Sequence, residues 1–184
     1  MTEKEKYVLD AIYARRSVRR FEERPVEAEK VDTLLQAAMA APSACNIQPW
    51  EFVVVEDIDT IDAIKASIPK YADYNTPCIL VVCGNPKFIP WDNDVGTLDC
   101  AAAIENILLA ATAMDLGSVW IGGFDPDALR RILDIPADVF PVGVVYIGYP
   151  AYVPGPRTQY KPELIHYGKY DKTRIFQKKP ESII

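Results

Sequence analysis

The sequence predicts a single domain that mixes α-helices with β-strands, and three observations carry that reading. The chain has 184 residues, 49% of them hydrophobic and 25% charged. That is an ordinary globular composition, and such a length can bury roughly 70% of its unfolded surface in one core. Apolar residues recur at helical spacing in some segments and form short continuous runs in others. No repeat, linker or low-complexity stretch divides the chain, so one domain is expected over residues 1–184, with about 150–184 as an extended C-terminal tail.

The elements follow in order. Thr2 is placed to cap a helix over about 3–15, with Glu3 and Glu5 in its first turn and Tyr7, Val8, Ala11 and Ile12 as its apolar stripe. After an arginine-rich break and Pro25, a second helix is predicted over 27–40 from Val31, Leu34, Leu35, Ala38 and Met39. Pro42 ends it. A loop, Pro42 to Trp50, leads to a strand over 51–55 and a short helix over 58–67. Cys78 to Cys83 is continuously apolar, the mark of a strand buried on both faces. A long helix over 94–115 is expected to stop near Gly117. A strand over 118–121, a bend at Gly122-Gly123, a helix opened by Asp125-Pro126 and running to Leu133, and a strand over 142–147 complete the pattern.

Composition also excludes. The net charge of −6 disfavours a general nucleic-acid binder. One histidine, His166, cannot supply a multi-histidine metal site. Four cysteines without CxxC spacing argue against zinc ribbons and dithiol redox motifs; Cys78, Cys83 and Cys100 read as buried reduced thiols. The first ten residues have no apolar stretch behind their charges, so no secretory signal is expected there. No uninterrupted apolar run reaches the ~18 residues of a membrane span. A cytoplasmic protein without membrane or nucleic-acid partners is the expectation.

The helix from Ala101 to Met114 is apolar nearly all the way round, as a central helix would be. A chain of this length scarcely covers all its sides, so a partner subunit is expected to supply the rest.

Three segments could carry chemistry. Arg15, Arg16, Ser17 and Arg19 belong to a stretch with five arginines in ten positions, suited to phosphate oxygens; the alternative is compensation of the helix dipole. Pro42-Ser43-Ala44-Cys45-Asn46-Ile47-Gln48 gathers a hydroxyl and two amides that suit the edge of a flavin or nucleobase, or simply a turn. Trp120-Ile121-Gly122-Gly123 lets backbone approach a ligand closely beside a helix N-terminus, or is an ordinary strand–helix turn.

Taken in order, Arg-Arg-Ser-Val-Arg, Ala-Pro-Ser-Ala-Cys-Asn-Ile-Gln-Pro-Trp, the alanine-rich helix, Leu-Gly-Ser-Val-Trp-Ile-Gly-Gly-Phe and the closing Ile165 to Tyr170 resemble the FMN-dependent nitroreductase family over about residues 11–170. The resemblance implies an α+β three-layer sandwich, with a mixed, mainly antiparallel sheet flanked by helices, in an intertwined homodimer with FMN at the interface. It implies that Arg15, Arg16, Ser17 and Arg19 hold the FMN phosphate, ribityl chain and pyrimidine edge. Pro42, Ser43, Ala44, Asn46 and Gln48 would reach the flavin of the other subunit. Trp120, Ile121, Gly122 and Gly123 would line its ring, and Arg157 and Gln159 would add tail contacts. The chain has no clear counterpart, around Lys70 to Asn75, of the Asn and Lys that larger members use.

The activity so implied is ping-pong transfer of hydride from NADH or NADPH to FMN, then reduction of a small-molecule acceptor such as a nitroaromatic or quinone. No protein acid, base or metal is required, because the flavin carries the chemistry. Other flavin chemistry of the superfamily (dehalogenation or flavin fragmentation) and a non-catalytic flavin-binding module are the alternatives.

Overall fold

Thr2 begins the first helix with a reciprocal cap: its hydroxyl accepts the Glu5 N–H, and the Glu5 carboxylate accepts the Thr2 N–H. In the computed structural model, which describes residues 2–88, 93–156 and 160–173, this helix is α1 (Glu3–Ala14). It is followed by α2 (Ala28–Met39), β1 (Trp50–Val55), α3 (Ile58–Ser67), β2 (Cys78–Gly84), α4 (Asn93–Ala113), β3 (Gly117–Ile121), α5 (Pro126–Leu133) and β4 (Phe140–Gly148). Asp57 caps α3 through the Thr60 N–H, and Asp125 caps α5 with Pro126 in its first turn.

The strands form one sheet in the order β1-β2-β4-β3, and all three ladders are antiparallel. The only parallel pairing among the described residues is an isolated bridge between Ser17 and Ser118. Alternation along the strands sorts side chains into two cores. Cys78, Leu80 and Val82 of β2 and Val145 and Ile147 of β4 pack with α2 and α4. Ile79, Val81, Cys83, Val144 and Tyr146 pack with α3 and α5. The molecule is therefore the α+β three-layer sandwich that the resemblance implies. Strand β2 is buried at every position, which is why its sequence is continuously apolar. Burial also pushes the thiols of Cys78, Cys83 and Cys100 up to about 12, so they stay protonated.

Helix α4 lies between α2 and the sheet. Cys100, Ala103, Ile104, Ile107 and Ala111 are wholly buried there, although Val95–Ala113 is also long and apolar enough to span a membrane by length and composition. Its end corrects the sequence expectation. The left-handed residue that stops it is Asp115 (φ 59°), not Gly117: the Leu116 N–H bonds Ala111 O and the Asp115 N–H bonds Thr112 O. Gly117 has another task. It opens β3, where a Cβ would stand 2.7 Å from the Val18 side chain.

The stripe of α1 is solvent-exposed, with Tyr7, Val8 and Ile12 all largely uncovered within the chain. Their spacing is helical, but nothing among the described residues buries them.

Candidate functional site

The chain leaves α1 at Arg15 in extended conformation and runs alongside the start of β3, where the Val18 N–H donates to Ser118 O at 2.9 Å. Extended backbone sends alternate side chains to opposite sides. Arg15 and Ser17 therefore enter a cleft of about 300 Å³ that they share with Glu105, Leu108, Trp120 and Gly122. Arg16 turns instead into a neighbouring hollow lined by Ala14, Thr112, Asp115 and Gly117. There its guanidinium donates to the Tyr13 and Arg15 carbonyls at 2.6 and 2.7 Å, satisfying the end of α1. Arg19 donates to Ser17 O at 3.0 Å and sits 5.9 Å above the Tyr74 ring. Among the described residues, neither Arg16 nor Arg19 pairs with a carboxylate, so both keep charge available for an anion.

The arginine stretch thus divides. Arg24 belongs elsewhere: it pairs with Glu27 at 2.8 Å and stacks 3.7 Å from the Tyr149 ring.

Trp120 forms the floor of the cleft. Its indole lies over Gly143 on the α4 side of the sheet, beside Ile104. Ile121 points the other way into the α3–α5 core, leaving only its backbone to face a ligand. Neither Gly122 nor Gly123 has the positive φ that would require glycine for the turn itself. A Cβ at Gly122 would meet nothing within 4 Å, and one at Gly123 would only touch Tyr71 at 3.8 Å. The bare backbone therefore borders open space, as a planar ligand resting on it would need.

The loop between α2 and β1 does not line this cleft. Its backbone is left-handed at Cys45, Asn46 and Gln48 (φ 51°, 57° and 51°). Ser43 Oγ accepts the Gln48 N–H at 2.9 Å, and Gln48 Nε2 donates to Asn46 Oδ1 at 3.1 Å. That last bond uses one half of each amide. Asp99 of α4 anchors the loop by accepting the Ala44 N–H at 3.1 Å, while its other carboxylate oxygen is buried without a partner. Pro42, Asn46 and Gln48 face solvent. Within one chain, then, the first and third segments meet and the second points outward. Arg157 and Gln159 lie outside the described residues.

Two cleft residues, Glu105 and Leu108, escape the sequence reading, as does Tyr71 beside Gly123. Glu105 had a visible signal, being the one charged residue between Cys100 and Met114. Tyr71 has none, since it reaches Gly123 from a turn fifty residues away. A wider hollow of about 450 Å³ opens beside Arg24, Glu56, Ile58 and Lys65, but of the arginine stretch it collects only Arg24 and of the other two segments nothing.

Residues 12–74 and 65–149 match the model of the Nitroreductase family. A protein of Archaeoglobus fulgidus that carries the provisional name NADH dehydrogenase/NAD(P)H nitroreductase is 40% identical, over 77% of this chain and 84% of its own. A solved structure from Bacteroides thetaiotaomicron with the same provisional name superposes with a TM-score of 0.82 at 37% identity, covering 89% of this chain and 98% of that one. A provisionally named nitroreductase from Desulfovibrio desulfuricans, solved in complex with FMN, superposes at 0.77 with 28% identity over 89% of this chain and 98% of its own.

Proposed function

The chain belongs to the nitroreductase family, and from that premise we propose that it is an FMN-dependent oxidoreductase that takes hydride from NADH or NADPH and reduces small acceptors such as nitroaromatics or quinones. One observation carries the reading: Arg15, Ser17, Trp120 and Gly122, far apart in sequence, line one cleft with a flat aromatic floor and a bare glycine backbone. FMN bound to such proteins supplies the hydride-accepting and electron-donating ring.

The residues present fit that group. Arg15, Arg16 and Arg19 cluster on one short segment that would receive a phosphate, and the guanidinium groups of Arg16 and Arg19 bond backbone carbonyls rather than carboxylates. Trp120 offers an apolar surface for a ring system. The open backbone at Gly122-Gly123 leaves room for a ligand to approach, and in this reading its N–H groups stabilise the added negative charge. At about 300 Å³ the cleft lies at the small end for a cofactor site of ~300–1,000 Å³, so one chain provides only part of the enclosure. In this reading a second copy completes it. Pro42, Ser43, Ala44, Asn46 and Gln48, anchored by Asp99 and facing outward, are the residues offered to the partner's cofactor, while Arg157 and Gln159 are assigned tail contacts. No side-chain acid or base is placed in the reaction.

The test is direct. Purified protein should be yellow, or become so when titrated with FMN, and should bleach anaerobically on addition of NADH or NADPH; colour should return with a quinone. Protein that takes up no FMN would overturn the proposal. Stopped-flow reduction by each nucleotide would identify the donor.

A further inference from the structure

Among the described residues, Glu105 is the one carboxylate that lines the cleft. It interrupts an otherwise uncharged stretch of α4, where an alanine or glutamine would pack as well. Its partner is Arg15, with Nε and Oε1 3.7 Å apart and the two side chains 27% and 48% exposed. An ion pair so long and so open to water contributes about 0–1 kcal/mol. What distinguishes Glu105 is its position, since it borders the same cavity as Trp120 and Gly122.

We propose that Glu105 sets the redox poise of the site, holding down the two-electron reduction potential of a flavin bound in the cleft and so favouring release of electrons to the acceptor. The proposal rests on the reading that FMN binds here. Its basis is charge balance. Hydride transfer carries two electrons and one proton from the nicotinamide, which becomes cationic at its ring, and adds one unit of negative charge to the flavin. Arg15 favours that added charge and Glu105 opposes it. While the two side chains pair, their effects largely offset. A ligand oxygen that draws Arg15 away leaves the Glu105 carboxylate facing the ring without its counter-ion. Arg16 lines the neighbouring hollow and Arg19, bonded to the Ser17 carbonyl, is not among the residues that line the cleft, so Arg15 is the arginine set beside Glu105.

The experiment loads wild type, Glu105→Gln, Glu105→Ala and Asp138→Asn with FMN by titration, then measures each midpoint potential by equilibration with reference dyes. Asp138 is a control carboxylate paired with Lys87 outside the cleft. Both Glu105 variants should shift the reduced-to-oxidised ratio at fixed potential about tenfold toward reduced, or ~30 mV for a two-electron couple. Asp138→Asn should match wild type. The alanine variant, favoured by helix propensity, guards against a folding defect in the glutamine variant. Unchanged potentials in the Glu105 variants overturn the proposal, as does loss of FMN from variants that remain folded by circular dichroism, because the carboxylate would then be a binding group. If wild type takes up no FMN, it is the underlying reading that fails, and the two failures are told apart by the titration alone.

Discussion

Gly143 controls the cleft from beneath. A Cβ at this position would stand 2.5 Å from Trp120 Nε1 and 2.7 Å from Ile104 Cδ1, and Ile104, wholly buried, cannot yield without disturbing the packing between α4 and the sheet. Gly143→Ala should therefore cost about 1–3 kcal/mol in denaturant unfolding and should alter the Trp120 emission spectrum. Gly122 presents the opposite case. Its Cβ direction is empty and its φ is not positive, so Gly122→Ala should leave stability within about 0.5 kcal/mol of wild type while weakening FMN uptake. A stability loss at Gly122 equal to that at Gly143 would refute the idea that its bare backbone serves a ligand rather than the fold. The two glycines also show what sequence can reveal at this scale. The Gly-Gly pair stands out because it interrupts a strand–helix junction. Gly143 sits unremarked in a strand, because its requirement arises from Trp120 and Ile104, which reach it only after folding.

Among the elements, the clearest electrostatic link is the one tying the start of α2 to the end of the sheet. Tyr149 follows β4 and donates its hydroxyl to Glu27 at 2.6 Å, while Arg24 pairs with the same carboxylate and stacks on the Tyr149 ring. The Tyr149 hydrogen bond, with help from Arg24, lowers the Glu27 pKa from 4.5 to about 2. A carboxyl depressed on folding contributes stability that is complete above its unfolded pKa and is lost as pH falls through the folded one. The difference in stability between wild type and Glu27→Gln should hold steady above about pH 4.5 and shrink toward pH 2. A difference that grows with acidification would refute the assignment. Because the Arg24 and Glu27 side chains are 52% and 42% exposed, raising salt should weaken the Arg24 part. Such a link cannot be read from sequence, since Glu27 and Tyr149 are 122 positions apart. The elements themselves were legible, because caps and periodicity are local: Thr2 and Asp125-Pro126 open helices where their chemistry says they should. The end of α4 was misread for an instructive reason. Gly117 looks like a stop signal, yet Asp115 tolerates the left-handed conformation and does the stopping.

At the scale of the whole molecule, what is left uncovered is the informative quantity. Helix α1 packs on α4 with one side and presents Tyr7, Val8, Ile12 and Tyr13 to solvent, and Leu98 of α4 is 69% exposed. Isolated apolar residues on a surface need no explanation, but a helix whose apolar stripe faces outward does. The sequence pointed the same way, since α4 is too apolar for the cover that one chain can give it. The outward loop from Pro42 to Gln48 adds a second reason, as it is anchored by Asp99 yet takes no part in the cleft that Arg15 and Trp120 line. If a second copy covers α1 and receives that loop at its cofactor, then association and cofactor binding are one equilibrium, and each stabilises the other by mass action. Ile12→Glu places a charge in the apolar stripe while leaving the exposed helix free to fold. It should shift the protein toward monomer in sedimentation equilibrium and weaken FMN binding by at least about tenfold, a coupling of ~1.4 kcal/mol, with the far-ultraviolet circular dichroism unchanged. Added FMN should in turn drive the variant back toward the dimer. A monomeric Ile12→Glu protein with wild-type FMN affinity would mean that each chain builds its cofactor site alone, and the exposed face of α1 would then require a different partner.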